Sequence, residues 1–197
     1  FKGLAKRMAP YFDDDLKLIS EQRREFACNW KLAGRAYLEN LSPPFAADNG
    51  KDKVIKRASE AKPSHAENFF VLADDYGARF SSLPRLPGIS NSQQGSARLC
   101  WLFPNLFLAL LPDSVLSVVL QPTATAMTLQ RTALFVHQSA GTQAVTAHLE
   151  ELSSLWMEAL AGCAAEAETR QQEFDAWGSP LKPDTAVKRL PKEDSAF

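Results

Sequence analysis

The sequence predicts an α+β domain, an antiparallel β-sheet around a long C-terminal helix. Three observations point to it. From Asn68 to Val136 the chain is a succession of β-rich runs with short connections, which favours hairpins over βαβ units. From Val145 to Ala167, the residues Val145, Leu149, Leu152, Trp156, Leu160, Cys163 and Ala167 recur at three- and four-residue steps, the apolar stripe of one long helix. Ahead of both stands Asn29 to Pro44, a short helix that stops at a double proline. The rest of the chain is organised around that helix.

Bulk properties narrow the function classes. A chain of 197 residues can bury a sizeable core, and 45% hydrophobic with 23% charged residues is globular rather than disordered composition. Residues 1–197 are therefore read as a single domain. The formal net charge of −1 supplies no field to attract nucleic acid or anionic lipid, so neither is expected as a partner. Cys28, Cys100 and Cys163 are dispersed and odd in number, which excludes a disulfide framework or a CxxC site and points to the reducing cytoplasm. No run has the length and apolarity of a membrane span, and the first residues do not form a signal peptide. The abrupt start at Phe1-Lys2-Gly3 suggests a missing upstream segment.

In chain order, residues 1–20 read as a short helix and a linker, with Pro10 ending the first turn and Asp13-Asp14-Asp15 as a solvated turn. That acidic run lacks the alternating oxygen ligands and glycine of a Ca²⁺ loop. Leu16 to Trp30 reads as two short strands, the second being Glu25 to Trp30. In the organising helix Trp30, Ala33, Tyr37 and Leu41 share a buried face, while Arg35, Glu39 and Ser42 share another. Ser42 precedes a proline, so the helix should stop there. Residues 46–65, rich in Lys, Asp, Gly and Pro, read as a mobile solvated loop. Strands are expected at Phe69–Ala73, Tyr76–Ser82, Ala97–Phe103, Val115–Leu120 and Met127–Val136, with a turn at Gln121-Pro122-Thr123. Thr142 should cap the long helix and Gly178 should end it.

The stretch "NWKLAGRAYLENLSPPF" resembles the start of the catalytic domain of Rieske non-haem iron oxygenase α subunits, the ring-hydroxylating and N-demethylating oxygenases. In that family Asn-Trp-Lys leads into a helix carrying Glu-Asn. Glu/Asp-x-x-His and a second His five residues later follow, and a distant Asp joins the two histidines on one iron. Asn29, Trp30, Lys31, Tyr37, Glu39 and Pro44 match this frame. Arg35 and Ala36 replace the Glu-Asn pair, and Ser42 and Ala47 stand at the histidine positions. The segment from Trp101 to His137 resembles the family's Phe-Pro-Asn block and the two strands after it. On the long helix Gln171 and Glu168 fit the family's Gln and acidic residue, which puts Cys163 at the iron-binding Asp.

The resemblance implies a helix-grip (START/Bet v 1-like) fold in which Ser42, Ala47 and Cys163 are vacated iron-ligand positions. Asn29, Trp30, Tyr37 and Gln171 would be pocket and frame residues, and Glu39 a remnant of inter-subunit electron transfer. The implied function is a catalytically degenerate oxygenase-like subunit without a cofactor or a Rieske domain. It would act as an assembly partner of an active α subunit or a Rieske-containing protein, or as a binder of an apolar small molecule. The alternative is a working ring-hydroxylating or demethylating oxygenase domain with Fe²⁺ on mis-registered ligands, Asp48, His65 and Cys163 being the improvised N/O/S set.

Overall fold

The computed structural model describes residues 8–12, 14–41, 83–90, 98–140 and 143–177. Within them, five strands form one antiparallel sheet: β1 (Leu16–Phe26), β2 (Arg98–Leu102), β3 (Leu106–Leu110), β4 (Ser114–Ala124) and β5 (Met127–His137). Their order across the sheet is β1-β5-β4-β3-β2, so β2 to β5 form a meander that returns to pair with β1. The helices are α1 (Trp30–Asn40) and α2 (Gln143–Ala176). This is the expected α+β arrangement with a long C-terminal helix. Among the described residues no helix is long and apolar enough to cross a membrane.

Alternation along the strands decides what each face packs against. Leu116, Val118 and Leu120 of β4, Leu134 of β5, and Phe107 and Ala109 of β3 face inward. They share one core with Ala33, Ala36, Tyr37 and Leu41 from and just after α1, and with Leu152, Trp156, Leu160, Cys163, Ala164 and Ala167 of α2. The residues between them on the strands, Cys100, Leu108, Leu110 and Val115, form a second core with Met8, Tyr11 and Leu86. The sheet is thus covered on both faces at its β2–β4 end. Gly34 lets α1 settle on β2, since a Cβ there would stand 3.3 Å from Trp101 Cζ2. On the other face Gly88 lies so close to Pro10 that a Cβ would meet its backbone at 2.7 Å.

Two sequence expectations are corrected here. In place of two short strands there is one, β1, which ends at Phe26 and has a register irregularity between Leu18 and Ser20, and Trp30 opens α1 instead of closing a strand. Residues 21–25 are exposed on both faces of this strand, so their unbroken polarity imitates a break. Gln121-Pro122-Thr123 is part of β4, and the turn falls at Thr125-Ala126. The β3 pairing ends at Leu106↔Val119, so the N–H that Pro122 lacks would have met no strand on that side. The expected strands at Phe69–Ala73 and Tyr76–Ser82, the loop at 46–65, Thr142 and Gly178 lie outside the described residues.

Candidate functional site

The link between β1 and α1 is held from three directions. The Asn29 side chain accepts a hydrogen bond from the Lys31 N–H at 2.9 Å, capping α1 as its short polar side chain suits. Its Nδ2 donates to the Thr125 carbonyl at 2.8 Å, and its backbone N–H donates to Gln171 Oε1 at 2.9 Å. One turn earlier on α2, Glu168 Oε1 accepts the Ala27 N–H at 3.0 Å. Thr128 donates its hydroxyl proton to the Cys28 carbonyl at 2.7 Å. Asn29 and Gln171, expected as frame residues, are therefore in direct contact. Trp30 is half-buried with the Lys31 ammonium 5.7 Å from its ring centre.

Behind this link the interior is polar along one line. Tyr37 on α1 is fully buried and donates its hydroxyl proton to Gln130 Oε1 on β5. Gln130 Nε2 donates in turn to Thr132 Oγ1 at 2.9 Å. Burial first, with the charges that Cys163 and Cys28 would carry, pushes the Tyr37 phenol up, so it stays a donor. The Tyr37 ring lies 5.7 Å from that of Phe107, which stacks on Trp101 at 5.3 Å. Thr128, Gln130 and Thr132 were not named from the sequence. Their signal was legible, because they alternate along β5 on the same face as Leu134 and Val136, where apolar residues belong.

Cys163 sits on α2 in the main core, 3% exposed. Burial, and then the Glu166 charge, push its thiol up to about 12, while burial pushes Cys28 up to about 11. At about pH 8 such thiols are roughly one part in 10³ to 10⁴ thiolate, and the thiolate is the reactive form. A thiol reagent such as an aromatic disulfide is therefore expected to leave the three buried cysteines of the folded chain unmodified and to react with all three after denaturation. Rapid labelling of Cys163 in folded protein would contradict its placement.

On the outer side of α1, Glu39 pairs with Arg35, Nε to Oε1 at 2.9 Å, as the four-residue spacing suggests. Arg170 of α2, which the sequence did not indicate, contacts the other carboxylate oxygen at 2.6 Å and Glu166 at 2.9 Å. Burial works to raise the Glu39 carboxyl, but the two arginines outweigh it and hold the group below its usual value. A carboxyl depressed on folding stabilises fully above its unfolded pKa, and that contribution is lost as pH falls through the folded pKa. Glu39→Gln is therefore expected to cost about 1 kcal/mol or less at neutral pH, because the pair is partly solvated. Urea midpoints should differ near neutrality and converge below the ordinary carboxylate range. A difference that persists in acid would contradict the pairing.

Ser42, Ala47, Asp48 and His65 lie outside the described residues, so of the sequence-derived ligand positions only Cys163 has a described environment. Among the described residues no group of three or more His, Cys, Asp or Glu side chains is placed to hold a metal ion.

Residues 59–177, more than half of the chain, match the model of the ring hydroxylating alpha subunit (catalytic domain). The chain belongs to that family. Solved structures similar to this ring-hydroxylating α-subunit domain include the apo form of the quaternary ammonium Rieske monooxygenase CntA, 17% identical with a TM-score of 0.54. That match covers 89% of this chain and 43% of the other. The complex of the same enzyme with its substrate γ-butyrobetaine is similar at 16% identity and a TM-score of 0.54, covering 89% and 44%. A third structure of a quaternary ammonium Rieske monooxygenase, described in terms of carnitine oxidation by gut microbiota and inter-subunit electron transfer, is 14% identical with a TM-score of 0.52, covering 89% and 46%. The chain thus spans less than half the length of these relatives, and the likeness is one of fold. No curated protein matches the sequence.

Proposed function

We propose that this chain is a catalytically silent member of the ring-hydroxylating α-subunit family, retaining the interior as a small-molecule site and acting beside an active α subunit or a Rieske-containing protein. The observation that carries the reading is the state of Cys163. It stands where the family resemblance puts the iron carboxylate, yet it is a buried thiol held neutral up to about 12. With a hydroxyl at Ser42 and a methyl at Ala47, the donor set offers no imidazole and no anion. A ferrous ion would give up its hydration for too few ligands and too little charge, so these residues do not fit it.

The small-molecule part of this reading rests on the family resemblance, since the Tyr37–Gln130–Thr132 line is hydrogen-bonded within the fold. Glu39 marks the side of α1 on which a partner would dock. The relative described in terms of inter-subunit electron transfer supports such a partner. The test is iron retention by the unmodified chain after anaerobic incubation with Fe²⁺ and desalting. Substoichiometric iron and no oxygen consumption with a reductase present are expected. One tightly held iron per chain would overturn the reading and make Asp48, His65 and Cys163 the first residues to replace.

A further inference from the structure

Among the described residues the sheet ends at β1, which pairs with β5 on one side only. Alternate residues of this 11-residue strand turn their N–H and C=O groups away from β5, a template for another strand. Residues 21–25 are exposed on both faces, so neither the helices nor the outer core overhangs this stretch of edge. Edge strands are ordinarily shielded by charge. Here the signs alternate along the outer face, as Glu21, Arg23 and Glu25, and alternation is not a shield against a matching strand.

The charges on that face are out of balance within one chain. Arg23 stands directly opposite Arg131 of β5, and like charges opposed across a ladder cost stability. Glu21 serves both guanidiniums, at 3.4 Å from Arg23 and 4.0 Å from Arg131, while Glu25 accepts the Thr123 hydroxyl. A second copy supplies the missing carboxylate. Two β1 strands related by a twofold axis perpendicular to the sheet run antiparallel, with their side chains on matching faces. With the axis at Gln22, Glu21 of each copy faces Arg23 of the other, and Ser20 faces Arg24. A slip of two residues is the smallest that keeps the faces. In one direction it sets Glu21 against Glu21, and in the other Glu21 against Glu25 and Arg23 against Arg23. The irregularity between Leu18 and Ser20 stops regular pairing beyond that point.

We infer that the β1 edge is a docking surface for a second copy of this chain, with residues 20–24 of the two copies paired antiparallel about Gln22 so that the sheet continues across the interface. So short a pairing buries little, below about 1,200 Å² in total, and the dimer is accordingly weak and concentration-dependent. The inference goes beyond the silent-subunit reading and does not depend on it.

The test is sedimentation velocity of the full chain across the micromolar range, where monomer and dimer should exchange. Glu21→Arg sets positive charges against each other at both crossings, and Arg23→Glu sets negative ones. Each variant alone should dimerise about tenfold or more weakly than the unmodified chain. Both side chains are exposed, so neither change disturbs the core, and circular dichroism checks the fold of each variant before use. An equimolar mixture of the two variants restores opposite charges at both crossings, and it should dimerise again. A monomer throughout for the unmodified chain, a dimer undiminished by either single change, or a mixture of folded variants that stays monomeric would each overturn the edge pairing.

Discussion

Trp156→Ala is expected to destabilise the chain by about 3–5 kcal/mol. Trp156 is fully buried at the middle of the α2 stripe and packs in the core that joins both helices to the inner face of the sheet. Removing the indole leaves a cavity between a helix and a hydrogen-bonded sheet, and neither can close on it without breaking its own register. For a chain of this size the loss corresponds to a fall in Tm of about 6–20 °C. Phe174→Ala, near the end of the same helix and 55% exposed, should change stability by less than about 0.5 kcal/mol. Thermal melts of the two variants would check the contrast, and equal losses would contradict the packing of α2.

Tyr37→Phe is the second large effect, about 1–3 kcal/mol. The change removes one oxygen and leaves Gln130 Oε1 buried without the donor it has in the native fold. Since Gln130 orients Thr132, the loss passes along the line. Adding Gln130→Leu to Tyr37→Phe should recover part of the loss, because two absent partners cost less than one stranded acceptor. If the double variant is less stable than either single one by a simple sum, the hydrogen bond is not the cause.

Where the sequence was legible, the reason was periodicity. The α1 face of Ala33, Tyr37 and Leu41 and the α2 stripe from Leu152 to Ala167 are buried as the three- and four-residue spacing requires. β2, β4 and β5 were visible because each buries at least one face, whereas β3, Leu106–Leu110, was not named as a strand because it is buried on both faces and shows no alternation. β1 was misread because its middle, an edge segment exposed on both faces, carries no alternation. Pro122 was misread because a proline is a turn signal unless the neighbouring strand has already ended, a fact of tertiary pairing. Asn29 and Gln171 were named through a family resemblance and not through any local pattern, since 142 residues separate the two partners of that hydrogen bond. Arg170 escaped for the same reason. Its local signal, the four-residue spacing from Glu166, announces only a helix pair, while its contact with Glu39 depends on how α2 lies against α1.

The central claim is that the frame of an iron site persists without its ligands. The measurement that tests it most directly compares Fe²⁺ stoichiometry in the unmodified chain and in the combined variant Ser42→His, Ala47→His and Cys163→Asp. The three changes together restore two imidazoles and a carboxylate, the set a mononuclear iron requires. A buried Asp at 163 should lower stability without metal, and Fe²⁺ should raise the melting temperature of the variant, since a ligand that binds only the folded state stabilises it. The account predicts one iron per chain and a metal-dependent thermal shift in the triple variant, and neither in the unmodified chain or any single variant. Tight stoichiometric iron in the unmodified chain, or a triple variant that folds yet shows neither iron nor a shift, would contradict it.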